Sequence, residues 1–188
     1  MTPHTSSLVL VMGLPGTGKT TLSKKVSLAL ELPLISRDEI KLLIMDNVGW
    51  KDREWSKKVG KASYDILDYV LGEQLKSGTS CIIESDFDPV FANKKFQEWQ
   101  ARFGFNCVQV ICTAKGEVLL KRWQERAASD LRHPSITEGQ EGLRDLEEAI
   151  KAGERQALDL KGTIIRVVTD DFAVVNVDAV IQEIKDSL

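Results

Sequence analysis

The chain has 188 residues, 43% of them hydrophobic and 28% charged, with a formal net charge of −3; these figures suit one globular domain with a full core. Its 25 basic and 28 acidic side chains lack the cationic excess of proteins that coat nucleic acid, and no apolar run reaches the roughly 20 residues of a membrane-spanning helix. Met1 to Ser7 lacks the layout of a secretory signal, and Cys81, Cys107 and Cys112 follow no Cys-x-x-Cys spacing, so they read as buried thiols of a cytoplasmic protein.

Leu8-Val9-Leu10-Val11-Met12 is a continuous apolar run, as expected for a strand buried on both faces of a parallel sheet. Leu22, Val26, Ala29 and Leu30 then recur at helical spacing. A second strand is predicted over Leu32 to Ile35, and a long helix on Val59, Ala62, Ile66, Leu67, Val70, Leu71 and Leu75. Cys81-Ile82-Ile83 predicts a third strand, Pro89 opens a helix that stops near Gly104, and Val108 to Cys112 predicts a fourth strand. A helix from Glu117 to Arg126, a strand at Ile164 to Val168 and a closing helix on Ile181, Ile184 and Leu188 complete the pattern. Alternating strands and helices imply a three-layer α/β/α domain with a parallel sheet of about five strands. One domain over residues 1–188 is expected, with no internal repeat or linker. Residues 127–142 hold few large apolar side chains and two glycines, Gly139 and Gly142, which predicts a loop acting as a mobile lid.

Gly13-Leu14-Pro15-Gly16-Thr17-Gly18-Lys19-Thr20 fits G-x-x-x-x-G-K-[ST], the P-loop of nucleoside-triphosphate sites. Glycines permit positive φ angles that turn successive N–H groups toward one anion, and the helix that follows adds its N-terminal donors. Lys19 supplies a charge for the β and γ phosphates, and the Thr20 hydroxyl, with Thr21 beside it, can ligate Mg²⁺. An apolar strand before the loop and an amphipathic helix after it place the motif in its proper context.

Other polar groups sit at strand ends, where α/β sheets bind ligands. Asp38 follows the second strand and can orient an attacking hydroxyl; Ser36-x-x-Glu39 has capping-box spacing and would start a helix there. Glu84 and Asp86 end the third strand, where a carboxylate can hold Mg²⁺ or orient the nucleophile; which of the two acts stays open. Arg122 and Arg126 share one helix face, and Arg132 lies beyond them in the lid. Trp50, Trp55, Tyr64, Trp99 and Trp123 are expected to pack in the core.

The P-loop, Ser36-Arg37-Asp38-Glu39-Ile40-Lys41 and Ile82-Ile83-Glu84-Ser85-Asp86-Phe87 together resemble the small P-loop kinases. The likeness is strongest to the kinase domain of polynucleotide 5′-hydroxyl kinases and the predicted kinases grouped with them; zeta-type toxin kinases and chloramphenicol phosphotransferase are similar at a greater distance. It spans roughly residues 8 to 170. The resemblance implies ATP and Mg²⁺ as cofactors, Asp38 as general base on the acceptor, and Arg122 and Arg126 as lid arginines that stabilise the transferring phosphoryl group. It places Arg37, Lys41 and Arg132 among the substrate contacts, although relatives often carry arginine where this chain has Lys41, which lacks the planar fork.

The function expected is phosphoryl transfer from ATP to a hydroxyl of a small molecule or of a nucleotide or polynucleotide 5′ end, with nucleic acid less favoured by the charge balance. The alternative is a nucleotide-binding switch serving a partner protein. Asn93-Lys94-Lys95-Phe96 lacks the aspartate of the guanine-reading N-K-x-D motif, and no helical domain of an AAA-type motor fits in the remaining length.

Overall fold

The computed structural model describes residues 6–128 and 139–188. Among these, five strands form one parallel sheet, as expected, and their order is β2-β3-β1-β4-β5: β1 Ser7–Met12, β2 Leu34–Ser36, β3 Cys81–Glu84, β4 Asn106–Thr113 and β5 Gly162–Val168. Every residue of β1 is buried. Because alternate side chains point to opposite faces of a strand, the apolar run feeds two cores at once. Leu8, Leu10 and Met12 pack with Leu67, Leu71 and Leu75 of α3 (Arg53–Lys76) and with Phe96 of α4 (Pro89–Phe103). Val9 and Val11 pack with Leu22 and Val26 of α1 (Lys19–Leu30) and with Ile181 and Ile184 of α7 (Val177–Asp186). Three layers result, with the sheet in the middle.

Helix starts follow local chemistry. Asp88 accepts from Val90 N at 2.9 Å with Pro89 in the first turn, which fixes the start of α4 where the Asp-Pro pair placed it. Ser36 caps α2 (Arg37–Val48) by accepting from Glu39 N. Register aligns Ser36 with Glu84 and Glu84 with Val11 across β2, β3 and β1. The polar strand ends therefore open side by side at one edge of the sheet.

Two expectations are corrected. Gly139 and Gly142 are helical, in α6 (Gly139–Lys151), and do not belong to a loop. Leu143, Leu146 and Ile150 supply the apolar face, Leu146 being buried; that periodicity outweighs the weak helix propensity of glycine. α6 docks on α5 (Gly116–Ala127), where a Cβ on Gly116 would lie 2.6 Å from Ile150 Cγ2. It is tied to α3 by Arg53, which pairs with Glu141 and with Asp145. The remainder of the expected lid, with Arg132, lies outside the described residues. Second, the aromatic residues are not uniformly core: Trp50 is exposed and Trp55 is half-buried, donating Nε1 to Gly49 O. Cys81, Cys107 and Cys112 are buried free thiols, as expected. No helix among the described residues is long and apolar enough to cross a membrane.

Candidate active site

The P-loop leaves β1 and turns directly into α1. Gly13 (φ 149°) has no room for a side chain: a Cβ would lie 2.4 Å from the Cys112 carbonyl oxygen. Gly18 (φ 80°) faces the Phe172 ring, 2.9 Å from where its Cβ would stand. Thr17 N and Oγ1 both donate to Leu14 O, at 3.2 and 2.8 Å. Thr169 Oγ1 donates to Thr17 O at 2.7 Å and to Thr113 O at 2.9 Å, stitching the loop to the ends of β4 and β5. α1 has no side-chain cap and no acid in its first turn, so its leading N–H groups and positive dipole end are left for an anion.

Glu84 is fully buried at the end of β3. Its Oε2 accepts from Ser36 Oγ at 2.6 Å, and its Oε1 lies 3.7 Å from Lys19 Nζ with no hydrogen-bond partner. Burial pushes the carboxyl above its ordinary pKa, against the opposing pull of Lys19, Ser36 and Thr20. A buried carboxylate oxygen without a donor is costly, and it faces the P-loop lysine and threonine. Oxygen donors of this kind, few in number beside a phosphate cradle, fit Mg²⁺, which keeps most of its shell for water and phosphate. Ser36 thus serves both as helix cap and as a support for Glu84.

Asp38, in the first turn of α2, has its side chain half-exposed to the cleft, 2.7 Å from Arg37 NH1. Burial raises its pKa, but Lys19, Arg37 and Lys41 together outweigh that and hold it below the ordinary value. Arg37 itself lies over the Tyr64 ring, 4.6 Å from the centroid, with Nε buried and unpartnered. Tyr64 is fixed in turn by Ser85 Oγ, 3.1 Å from its hydroxyl, and by the Asp86 carbonyl at 3.3 Å. It packs partly buried against the core, as expected, while its ring carries Arg37.

Glu84 and Asp86 have different surroundings. Asp86 lines the cleft and is held by Arg155, with Nε to Oδ1 at 2.5 Å and NH2 to Oδ2 at 2.9 Å, while Arg155 NH1 also approaches Asp88 at 3.7 Å. Arg122 donates to three backbone carbonyls, Gly16 O (3.0 Å), Thr169 O (2.6 Å) and Asp170 O (3.1 Å). It braces the P-loop from behind, in contrast to a freely arriving lid arginine. Arg126 donates Nε to Arg122 O, and its NH2 lies beside Gly16; burial and the neighbouring Arg122 charge lower its pKa, so an anion there would relieve it.

Lys19, Arg37, Asp38, Asp86, Arg122, Arg126 and Arg155 line a single cleft of about 830 Å³, with Pro15, Thr20, Thr21, Lys41 and Trp123 also on its wall. Trp123 is therefore a cleft residue. Asp145, Leu146 and Ala149 of α6 close the far side. Arg155, Phe172 and α6 carried no recognisable motif in the sequence; Arg155 sits 69 residues from the carboxylate it grips.

The fold and the loop define a P-loop NTPase of three-layer α/β/α build, and the enzyme class is that of a P-loop kinase. The chain belongs to the AAA domain family, whose model matches residues 8–143. It is similar to a "putative kinase" from Chloroflexus aurantiacus j-10-fl, at 35% identity and a TM-score of 0.90, covering 98% of this chain and 99% of that one. A shikimate kinase from Bacteroides thetaiotaomicron (18% identity, TM-score 0.56, 96% and 97% covered) and a gluconokinase from Sinorhizobium meliloti 1021 (15%, 0.51, 95% and 88%) share the fold. No curated protein matches the sequence.

Proposed function

We propose that the protein moves the γ-phosphoryl group of ATP to a hydroxyl of a small-molecule acceptor. The observation that carries this reading is the meeting of the P-loop, Lys19 and the ionised Asp38 in one cleft, with Glu84 buried beside Lys19. The P-loop amides and Lys19 would hold the phosphates in line with the acceptor. Thr20 and Glu84 would hold Mg²⁺, which when bound neutralises charge on the phosphates. Asp38 orients the acceptor hydroxyl and takes its proton as the new P–O bond forms and the bond to ADP breaks. Arg126, beside Gly16, supplies positive charge at the loop, and no covalent enzyme intermediate is required.

The motif likeness to polynucleotide 5′-hydroxyl kinases supports a nucleotide or polynucleotide 5′-hydroxyl as acceptor; the net charge of −3 favours a small molecule. The kinases of shikimate and gluconate that share the fold act, by their names, on small hydroxy acids. Buried free thiols support a cytoplasmic setting.

The test is phosphorus NMR with ATP, Mg²⁺ and a panel of hydroxylated metabolites, nucleosides and oligonucleotides. Asp38→Ala should lower transfer about 10²–10⁴-fold with ATP affinity held. Unaltered turnover in that variant would remove Asp38 from the mechanism, and ATP hydrolysis that no hydroxyl compound stimulates would remove the kinase reading itself.

A further inference from the structure

A second cavity, of about 300 Å³, opens between the start of α2 and the first half of α3. Five cations line it, Arg37, Lys41, Arg53, Lys57 and Lys61, against one carboxylate, Asp145. This concentration occurs in a chain whose net charge is −3. Arg53, Lys57 and Lys61 are spaced i, i+4, i+8, so α3 projects them along one face, although like charges at that spacing disfavour a helix. Arg53 is compensated by Glu141 and Asp145 of α6, and Lys61 by Asp65 at 2.7 Å. Lys57, between them, has no carboxylate partner among the described residues.

Arg37 forms the floor between the two cavities. Its guanidinium lies over the Tyr64 ring, and its Nε is buried without a hydrogen-bond partner, a state that is costly when left unrelieved. α3 makes room for it with a glycine: a Cβ on Gly60 would stand 3.0 Å from Arg37 NH2. Glycine inside a helix is less favourable than alanine, so helix stability alone would favour the larger residue. Arg37, Lys41 and Asp145 line both cavities. A molecule with its hydroxyl at Asp38 can therefore extend directly into the cationic one.

We infer that this pocket binds an oxyanion of the acceptor, so that the substrates are small hydroxyl compounds carrying a phosphate or carboxylate at a second position. The inference rests on the kinase reading for the word acceptor, but the pocket can be tested without catalysis. The size suits one such group, and a single pocket offers no continuous track for a polynucleotide backbone.

The full chain, saturated with Mg²⁺ and a non-hydrolysable ATP analogue to fill the P-loop, would be titrated with inorganic phosphate, pyrophosphate and citrate while backbone amide shifts are followed by NMR. Saturable shifts are expected over residues 37–41 and 53–64. The Lys57→Glu/Lys61→Glu double variant should bind at least about tenfold more weakly, a change of about 1.4 kcal/mol, with analogue affinity and melting temperature within error of the parent. Gly60→Ala keeps every charge but displaces Arg37, and should also weaken the anion. Preference for phosphate or for citrate identifies which oxyanion the acceptor carries. The inference fails if no saturable binding occurs with the P-loop filled, if charge reversal leaves affinity unchanged, or if only oligonucleotides bind. Such a failure with acceptor phosphorylation intact would leave the kinase reading standing; anion binding without any transfer would sink that reading alone.

Discussion

Glu84 lies close enough to feel the charge of Asp38, yet their surroundings move their titrations in opposite directions. Burial raises Glu84 above 4.5, whereas Lys19, Arg37 and Lys41 overcome the burial of Asp38 and keep it below 3.8. The stability contribution of Glu84 is thus complete below 4.5 and declines as pH rises through its folded value; that of Asp38 is present above 3.8 and lost as pH falls through its folded value. Acidification should therefore discharge Glu84 first, leaving Asp38 ionised. Carboxyl carbon NMR titration of the free protein should place the Glu84 midpoint above 4.5 and the Asp38 midpoint below 3.8, and Arg37→Gln should move Asp38 upward. A Glu84 midpoint at or below 4.5 would mean that Lys19 dominates over burial. The division of labour follows: Glu84 is sensitive to what occupies the P-loop, and Asp38 is a carboxylate ready for a hydroxyl at neutral pH.

At the scale of elements, α6 is the piece that turns an open crevice into a cleft. It leans on α5 through Ile150, which fills the space that a side chain on Gly116 would take, and it reaches α3 through Arg53. The ion pairs are largely exposed and worth about 0–1 kcal/mol, so packing at Gly116 is the stronger hold. Gly116→Ala places a Cβ 2.6 Å from a β-branched methyl and should cost about 1–3 kcal/mol by overpacking. Amide exchange should rise selectively in residues 139–151, and KM for the acceptor should increase more than that for ATP. Uniform acceleration across the sheet would show instead that α6 is not a separable unit.

For the molecule as a whole, the α3/α4 side of the sheet holds the larger of the two cores, built around Phe96. Phe96 is fully buried, with Phe87 and Trp99 both 5.3 Å away in edge-to-face contact. Phe96→Ala should cost about 3–5 kcal/mol, read as a lower denaturation midpoint in urea, while the nucleotide dissociation constant under native conditions stays near that of the parent. A weakened nucleotide with an unchanged midpoint would contradict the separation between this aromatic core and the P-loop.

Much of this was legible from local pattern. Continuous apolar runs such as Leu8 to Met12 require cover on two faces, which dictates a helix-clad parallel sheet; the P-loop requires its glycines because Gly13 lies against Cys112 and Gly18 against Phe172. Ser36 and Asp38 were readable as cap and cleft carboxylate because a helix start constrains both within four residues. α6 was hidden because Gly139 and Gly142 read as loop while the face formed by Leu143, Leu146 and Ile150 acquires meaning only against α5. Strand order, the grip of Arg155 on Asp86, the bracing of the P-loop by Arg122 and the space that Gly60 leaves for Arg37 depend on groups far apart in the chain. The sequence by itself determined that a triphosphate is held and that carboxylates attend it, since those demands are local to a loop and a strand end. Only the tertiary structure decided which carboxylate is buried against Lys19, which is locked to an arginine, and where a cationic pocket opens beside the cleft, because burial and electrostatic pairing are set by what the fold brings alongside.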